Sequence, residues 1–503
     1  MSERPFLRLA VVGHTNTGKT SLLRTLTRDP NFGEVQDEPG TTRHVEGARL
    51  LVDDATAIEL FDTPGMEDGI ALLDYLDQLA QRGQRLDGPD RIRRFLDSPE
   101  SKRRFEQEAR VLNKLLDCDA GLYVVDVRDP VLGKYKDELE ILANCGKPLL
   151  PVLNFTRSPS HRAAAWREAL ARLGLHANVE FDTVAPALDG EAQLYDKLAL
   201  LLDSHAALLR ALNEDIVLQR DIRRADAMRL VAELLVDVAA WHLGSAPDHE
   251  SLAQTTDTLR RQVRKRENQC VKALLKRYKF KSADFPYHEL PLEGERWGMD
   301  LFHPQALRDM GIHVSKGIAA GAAAGATIDV FTAGLSLGAA ALAGAVIGGL
   351  WQGSGQYGKR ILGRLKGYRE LSVDDAVLRL LGVRQIALIN ALERRGHAAQ
   401  GPIILAQGSK NIGSQAPENV DEEAGKQSGD NRTAIQHERV ANANDAVAPA
   451  TTLHKGRLPE ELGEARSQPL WSTLSADYSP SPRREQVIKS LADRMAATRA
   501  AAT

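Results

Sequence analysis

The chain has 503 residues, which exceeds one ordinary globular core and therefore predicts two or more domains. Hydrophobic residues make up 43% and charged residues 26%, which excludes a chain that is disordered throughout and a membrane protein with many spans. The formal net charge of −3 excludes a uniformly basic nucleic-acid binder but is compatible with a local basic patch.

Strand and helix patterns alternate between residue 6 and about residue 205. The apolar run 7–12 leads into a glycine-rich turn, and residues 19–27 continue with helical spacing. Asp53 and Asp54 join the next two strands as a hairpin. The further strands are predicted at residues 45–52, 57–61, 121–127, 149–154 and 179–181. This alternation predicts an α/β fold, with a mostly parallel sheet in a three-layer α/β/α arrangement.

The segment 66–118 interrupts this alternation with a charged, helical pattern. Its basic clusters at 91–94 and 102–104 are interleaved with acids. Such a pattern favours a solvated helical face, and a recognition surface is the alternative. We therefore expect a helical insertion in the α/β domain.

Residues 13–20 read G-H-T-N-T-G-K-T and fit the phosphate-binding pattern G-x-x-x-x-G-K-[ST]. The motif follows a strand and opens a helix, so backbone N–H groups and the helix N-terminus can bind phosphates. In this arrangement Lys19 reaches the β- and γ-phosphates and the Thr20 hydroxyl binds Mg²⁺. The predicted nucleotide-binding residues of the loop are Gly13, His14, Thr15, Asn16, Thr17, Gly18, Lys19, Thr20 and Ser21.

Two further short motifs follow in the order that a nucleotide switch requires. D-T-P-G at 62–65 ends a strand, so that Asp62 can hold Mg²⁺ through water and the Gly65 N–H can sense a γ-phosphate. P-G-T-T-R at 39–43 provides the hydroxyls of Thr41 and Thr42, which can ligate Mg²⁺ and tie the loop to the γ-phosphate. Each motif alone is weak, but the three support one another.

With V-V-D-V-R-D-P at 124–130, these motifs make residues 6–205 resemble the Era- and TrmE-like branch of the translation-factor-related GTPases. The resemblance implies a P-loop GTPase (G) domain at 1–205, with GTP as substrate, GDP as product and Mg²⁺ as cofactor. The helical segment and Gly/Ala-rich stretch that follow are similar to a bacterial family of GTPases whose C-terminal domain has no assigned function.

The guanine-reading motif departs from the N-K-x-D of this branch. Residues 154–157 read N-F-T-R, so Asn154 is retained as a nucleotide-binding candidate, while Phe155 replaces the lysine and Arg157 replaces the aspartate. A guanidinium only donates hydrogen bonds and cannot accept the two that select guanine. Either another acceptor, such as Asp182, takes over or base specificity is relaxed.

The residues expected to support hydrolysis also differ from those of Ras-like switches. Met66 stands where such switches carry a glutamine that orients water, which predicts slow hydrolysis. Asn16 matches an asparagine that helps bind K⁺ in potassium-dependent members of the resembled branch, although a local loop hydrogen bond is an alternative role. The resemblance thus implies K⁺-assisted hydrolysis in a homodimer joined through the G domains. The predicted catalytic residues are Lys19, Thr42, Gly65 and Asn16.

Residues 206–400 are predicted to form a mainly helical domain. The pattern is wholly helical over 205–300, and 360–397 give another helical stretch. Within it, the helix 259–281 carries ten basic residues between 260 and 281 against one acid, Glu267. Such a basic amphipathic helix can lie on anionic lipid, follow an RNA backbone, or pair with acids elsewhere in the protein. Its apolar strip comprises Val263, Cys270, Val271, Leu274 and Leu275.

Residues 317–351 repeat glycine at four-residue spacing, and Asp329 is the only charged residue between 318 and 350. The spacing predicts an apolar hairpin of two short helices that turns near 329–334, or one tilted span at 330–350. The hairpin could touch or enter a membrane, or pack as a buried soluble unit. Beyond it, composition predicts a disordered linker at 401–480 and a short helix within 481–503.

The sequence therefore predicts a cytoplasmic GTPase switch whose C-terminal half contacts lipid at the inner face of the cell membrane. The first residues lack the apolar stretch of a secretory signal, and Cys118, Cys145 and Cys270 show no paired or metal-binding spacing. One alternative is an RNA- or ribosome-associated assembly GTPase that uses the basic helix. Another is a membrane scaffold in which the nucleotide is only structural.

Overall fold

The computed structural model describes most of the N-terminal half and three parts of the C-terminal half. The described residues are 6–29, 31–32, 46–52, 55–80, 86–281, 284, 301–302, 328–331, 369–399, 403 and 458–497. The P-G-T-T-R motif, with Thr41 and Thr42, lies outside them, as does most of the predicted hairpin at 317–351.

A six-stranded sheet organises the first two hundred residues. Its strands are β1 (Leu7–Val12), β2 (Glu46–Val52), β3 (Ala55–Asp62), β4 (Ala120–Asp126), β5 (Leu149–Asn154) and β6 (Val179–Glu180). They lie in the order β2-β3-β1-β4-β5-β6, and only the β2–β3 hairpin is antiparallel. Every residue of β4 and β5 is buried, as central parallel strands require. The predicted α/β class with a mostly parallel sheet is confirmed.

Within the described residues, eight α-helices follow or separate these strands. They are α1 (Lys19–Thr27), α2 (Gly69–Ala80), α3 (Gly88–Leu96), α4 (Glu106–Asp117), α5 (Gly133–Ala143), α6 (Ala163–Arg172), α7 (Gly190–Leu201) and α8 (Ala206–Ala240). Apolar residues of α1, α7 and the start of α8 pack on one face of the sheet, and those of α2 to α6 pack on the other. The helical pattern expected for 66–118 corresponds to α2, α3 and α4.

The C-terminal half has a core of its own, to which five helices of the described part of the chain contribute. Besides the second half of α8, these are α9 (His249–Arg277), α10 (Asp375–Glu393), α11 (Glu460–Arg466) and α12 (Pro482–Ala497). Val231, Leu259, Leu378, Leu462 and Ile488, one from each helix, are fully buried in a single cluster. The short helix expected after residue 481 is α12.

A small antiparallel sheet corrects two predictions of continuous helix. Its strands β7 (Leu243–Ser245), β8 (Ile328–Phe331) and β9 (Arg369–Val373) lie in the order β7-β9-β8. The first interrupts 205–300, and the last lies within 360–397. β8 occupies the position of the predicted helical turn near Asp329 and the start of the predicted span at 330–350. Pairing between segments far apart in sequence overrides the local helical pattern here.

The end of the predicted disordered linker is ordered, so that prediction is wrong for residues 458–480. This segment contains α11 and a 3₁₀ turn at Pro469–Trp471. Leu462 is fully buried and Trp471 is 6% exposed, and both belong to the cluster that α8 helps to form. The polar composition concealed a few apolar residues that pack against distant helices.

The basic helix predicted at 259–281 corresponds to α9, which starts earlier and ends at Arg277, and its apolar strip is already buried. Val263, Cys270, Val271, Leu274 and Leu275 are all buried in the C-terminal core, so this strip is not available to a lipid surface. Some of its arginines pair with acids of α8, as the third alternative predicted, namely Arg266 with Asp237 and Arg277 with Asp226. None of the helices within the described residues is long and apolar enough to cross a membrane.

Candidate nucleotide-binding site

The phosphate-binding loop joins the carboxyl end of β1 to the first turn of α1. Gly13 and Gly18 have φ angles of +140° and +92°, which L side chains rarely adopt. A Cβ on Gly13 would also lie 2.6 Å from the Val124 carbonyl oxygen. Asn16, at φ +64°, takes the left-handed conformation that asparagine tolerates better than most residues. The two glycines of the motif are therefore required by the path of the loop.

Lys19 folds back into this loop. Its ammonium donates hydrogen bonds to the carbonyls of Gly13 (3.1 Å) and His14 (2.6 Å), and its side chain is buried. Burial lowers the pKa of Lys19 to about 8, against the opposing effect of the negative charges of Asp62 and Glu138. The loop thus holds a cation close to the point where its own backbone turns.

Thr20, in the first turn of α1, and Asp62, at the end of β3, bring two potential metal-ligand oxygens together. The Thr20 hydroxyl donates to the Asp62 carboxylate over 2.5 Å, and Asp62 is 1% exposed at the end of β3. A hydroxyl and a carboxylate are hard oxygen ligands of the kind that Mg²⁺ prefers. The donor set of these two residues therefore fits the predicted Mg²⁺.

The D-T-P-G motif lies directly against the phosphate-binding loop. The Met66 N–H donates to the Gly13 carbonyl over 3.3 Å, and the Thr63 hydroxyl donates to the Val11 carbonyl over 2.7 Å. A Cβ on Gly65 would lie only 2.3 Å from the Thr15 hydroxyl oxygen, so this contact requires glycine. The Met66 side chain is fully buried in the apolar cluster that α2 to α6 form on one face of the sheet.

Asn154 connects the phosphate-binding loop with the segments that follow β5 and β6. Its side-chain NH₂ donates to the Thr17 carbonyl (3.0 Å), and its side-chain oxygen accepts the N–H groups of Phe155 (2.8 Å) and Thr183 (3.0 Å). The residue has no exposed surface. The geometry therefore favours a positioning role over the direct nucleotide contact that the sequence suggested.

Asp182, the candidate replacement acceptor for guanine, is engaged by backbone groups. Its carboxylate accepts hydrogen bonds from the N–H groups of Arg157 (2.9 Å), Val184 (2.9 Å) and Ala185 (3.0 Å), and the residue is 6% exposed. Phe155 stands in the place of the lysine, and its ring centroid lies 3.9 Å from Cζ of the Arg128 guanidinium, which stacks over the ring. Asp182 thus holds together the loops after β5 and β6.

A buried acid beneath the phosphate-binding loop was not found from the sequence. Glu138 of α5 is 1% exposed and contacts His14, with 2.5 Å between Oε1 and Nδ1, and it accepts a hydrogen bond from the Tyr123 hydroxyl. Lys134 lies 2.9 Å from the other ring nitrogen of His14. The signal was present, because Glu138 lies three and four residues from the buried Tyr135 and Leu142, on the apolar face of α5.

A second buried acid connects the insertion to the segment after D-T-P-G. One oxygen of Glu108, in α4, accepts the backbone N–H groups of Glu67 (3.0 Å) and Asp68 (3.1 Å). Glu108 is 4% exposed. These two amides precede α2, so the insertion fixes where that helix begins.

A strand, a phosphate-binding loop and a facing D-T-P-G motif on this sheet define the class of P-loop GTPases. In agreement, residues 8–155 match the family model described as 50S ribosome-binding GTPase. Residues 8–155 therefore have the fold of a P-loop GTPase domain and match a GTPase family model. Residues 167–493, more than half of the chain, match the model described as domain of unknown function (DUF3482). The chain belongs to this family.

Solved structures similar to the chain include three GTPases. Era in complex with MgGDPNP and part of 16S ribosomal RNA is 16% identical (TM-score 0.27), covering 35% of this chain and 51% of that chain. Aquifex aeolicus Era with GDP and AlF₄⁻ is 17% identical (TM-score 0.29), and the match covers 45% of this chain and 68% of that chain. The T. maritima FeoB G domain is 22% identical (TM-score 0.24), and the match covers 40% of this chain and 99% of that chain. The chain thus spans about half the length of the first of these. No curated protein matches the sequence significantly.

Proposed function

We propose that this GTPase is a slow conformational switch that binds GTP together with Mg²⁺ and is assisted by K⁺. The observation that carries the proposal is the meeting of Lys19, Thr20, Asp62 and Gly65 around one loop. Binding GTP requires Lys19 to exchange its two carbonyl partners for phosphate oxygens. The D-T-P-G motif, in contact with Thr15, is then placed to respond to a γ-phosphate.

Some residues of the site stabilise charge on the nucleotide, and others position the phosphate-binding loop. The Lys19 ammonium and the loop N–H groups stabilise phosphate charge, and Thr20 and Asp62 hold Mg²⁺. When bound, Mg²⁺ neutralises negative charge on the phosphates. Asn154 keeps the loop in register with β5 and β6 through its bond to Thr17. Thr41 and Thr42 stay predicted ligands of Mg²⁺.

Slow hydrolysis follows from the side chain after the D-T-P-G glycine. Met66 carries no group that can orient or deprotonate water, and it is buried with no exposed surface. We expect a basal turnover well below that of enzymes that carry a positioned water-orienting residue.

Asn16 supports the proposed K⁺ site. Its side chain is exposed and, within the described residues, forms no hydrogen bond, so the alternative of a local loop bond has no support. Its amide oxygen is therefore available to an ion beside the phosphates. In the proposal, two G domains meet across the nucleotide face and complete this site.

The test is phosphate release from GTP in matched K⁺ and Na⁺ buffers at several protein concentrations. We expect faster release in K⁺, with a specific activity that rises with protein concentration as dimers form. The variant Asn16→Gly keeps the left-handed backbone and should lose the difference between the two ions. Lys19→Ala is the control without activity. Equal rates in K⁺ and Na⁺ for the unmodified chain would disprove K⁺ assistance.

Base selectivity needs its own measurement, because Arg157 replaces the specifying aspartate and Asp182 is bonded to backbone. We propose that guanine is nevertheless preferred. Displacement of a fluorescent GDP analogue by GTP and by ATP tests this. Equal displacement by both nucleotides would show relaxed specificity.

Membrane contact stays part of the proposal only for residues 317–351, since the apolar strip of α9 is buried. Carbonate extraction of a membrane fraction tests it. Release of the protein by carbonate would exclude an inserted hairpin. The alternative of an RNA-associated GTPase is favoured by a separate observation on α9, which concerns its lysines.

A further inference from the structure

A groove of about 690 Å³ lies between the C-terminal end of α9 and the G domain. The end of α1 and strand β2 form one wall, which includes Arg28, Phe32 and Arg49. The other wall comes from α9 and the residues after it. Its basic members are Lys272, Lys276, Lys279 and Lys281. Two parts of the molecule thus face each other with basic side chains.

The lysine wall carries uncompensated charge. Arg28 and Arg49 pair with Glu191 and Glu59, but the four lysines form no salt bridge within the part of the chain that the structure describes. Among the described residues, one acid lines the groove, Asp29, and its carboxylate accepts the Asn31 N–H, while Asp284 beside the groove accepts the backbone N–H of Lys281. Elsewhere on α9, Arg266 and Arg277 have acidic partners. Four lysines without a salt bridge therefore lie together at the groove.

Backbone conformation gives a second, independent observation. Arg28 and Lys279 have φ angles of +51° and +60° just after α1 and α9. Helices usually end with glycine at such positions, and a residue with a Cβ costs about 1 kcal/mol there. Arg28 already pairs with Glu191, but Lys279 is a cation without a salt bridge that lines the groove in place of the residue that the backbone prefers. Such strain indicates a function for the side chain.

We propose that this groove binds the phosphate backbone of single-stranded RNA. Cations on two facing walls suit a flexible strand that enters a groove, whereas a bilayer presents a plane and cannot reach the floor. The buried apolar strip of α9 also removes the anchor that a membrane helix needs. Phe32, which is partly exposed on the wall, offers a face on which a base can stack.

The groove is separate from the nucleotide site. Lys19 and Thr20 begin α1, and Arg28 follows its last residue, so the helix axis places the two sites about 13 Å apart. Changes to the lysine wall should therefore leave GTP binding and hydrolysis unchanged. RNA binding is measured without nucleotide turnover, so it can fail or succeed independently of the proposed switch.

The experiment measures fluorescence anisotropy of a labelled ten-nucleotide RNA of mixed sequence with the full chain. Lys272→Ala/Lys276→Ala removes two lysines of the groove. The matched control, Arg261→Ala/Lys265→Ala, removes two exposed cations of the same helix outside it. We expect at least tenfold weaker binding for the groove pair and less than twofold for the control pair. The slope of log affinity against log salt should fall by about 1.4 for the groove pair, since each phosphate contact contributes about 0.7.

Lys279→Gly separates binding from folding. Glycine relieves the left-handed backbone, so the melting temperature should stay equal or rise while RNA affinity falls severalfold. Unchanged RNA affinity in this variant and in the groove pair would overturn the proposal. Equal losses in the groove and control pairs would also overturn it, since they would indicate diffuse surface charge. So would tighter binding to DNA of the same sequence, or binding only to phosphatidylglycerol vesicles.

Discussion

Asp237 of α8 and Arg484 of α12 form a buried salt bridge, with 2.9 Å between Oδ1 and Nη2, across 247 positions of sequence. The Asp237 carboxylate also accepts hydrogen bonds from Arg266 of α9 (2.8 Å) and from the Thr473 hydroxyl (2.7 Å). Asp237 has no exposed surface. One acid thus fastens the last segment of the chain to the helices that precede it.

Replacing this acid should destabilise the C-terminal core strongly. In Asp237→Ala, the buried Arg484 and the partly buried Arg266 lose this carboxylate, although Arg484 keeps the Trp471 carbonyl and Glu485, so we expect a cost of about 3 kcal/mol in the free energy of unfolding. Urea unfolding followed by circular dichroism measures this change. The control is Asp226→Ala, which removes an exposed partner of Arg277 on the same pair of helices and should cost less than about 1 kcal/mol. Similar losses in the two variants would contradict the central role of Asp237.

The affinity for GTP should fall at alkaline pH because of Lys19. With a pKa near 8, the free protein loses the Lys19 proton above that pH, and phosphate binding must restore it. Affinity should therefore be about tenfold lower at pH 9 than at pH 7. Isothermal titration with GTP in buffers of different ionisation enthalpy also reports the proton uptake. Lys19→Arg, which does not titrate in this range, should remove this contribution, and the same pH dependence in both proteins would contradict it.

The start of α2 should depend on Glu108 in the insertion. In Glu108→Ala the N–H groups of Glu67 and Asp68 lose their acceptor, so their hydrogen exchange should accelerate by about tenfold or more. Hydrogen exchange read by mass spectrometry over 62–80 measures this. Glu108→Gln retains an acceptor oxygen and should exchange more slowly than the alanine variant. The control Glu106→Ala removes an exposed partner of Arg110 from the same helix and should leave this peptide unchanged.

Stability should decline in mild acid because of His397. Its ring stacks on Phe280 with centroids 4.4 Å apart, and burial lowers the pKa of His397 to about 4. Between pH 6.5 and pH 4 the unfolded chain therefore binds a proton that the folded chain does not, so stability falls as pH falls. The loss at pH 5 should be on the order of 2 kcal/mol.

Urea unfolding at pH 7 and pH 5 measures this contribution. His397→Gln should be less sensitive to the change in pH than the unmodified chain. His176→Gln, at an exposed histidine, is the control and should respond as the unmodified chain does. An unmodified chain and a His397→Gln variant with the same pH dependence would show that another group is responsible.

The sequence was most informative where local patterns decide the structure. β1, the phosphate-binding loop and α1 follow one another within twenty-one residues, so apolar periodicity and the spacing of two glycines suffice to predict them. The β2–β3 hairpin was predictable for the same reason. These elements of the G domain were predictable because the apolar periodicity and turn residues within each segment indicate its secondary structure.

It was least informative where distant segments meet. β7 has three residues and pairs with β9, which begins more than a hundred residues later, so neither carries a clear local pattern. The contacts of Glu138 with His14 and of Glu108 with α2 arise in the same way, since sequence shows the acids but not what they face. Leu462 and Trp471 became recognisable as core residues only once their partners on distant helices were known.

The helix α8 has 35 residues, about 52 Å at the usual rise. Leu209 near its beginning is packed under the nucleotide-binding sheet, and Val236 near its end lies in the C-terminal core. If α8 moves as a rigid body, a rotation at one end displaces the other end in proportion to the length of the helix. A tilt of roughly 5° at the sheet would move the far end by about 4–5 Å over this length. A small rearrangement around bound nucleotide would thereby become a displacement of somewhat less than one helical turn at the far end of α8.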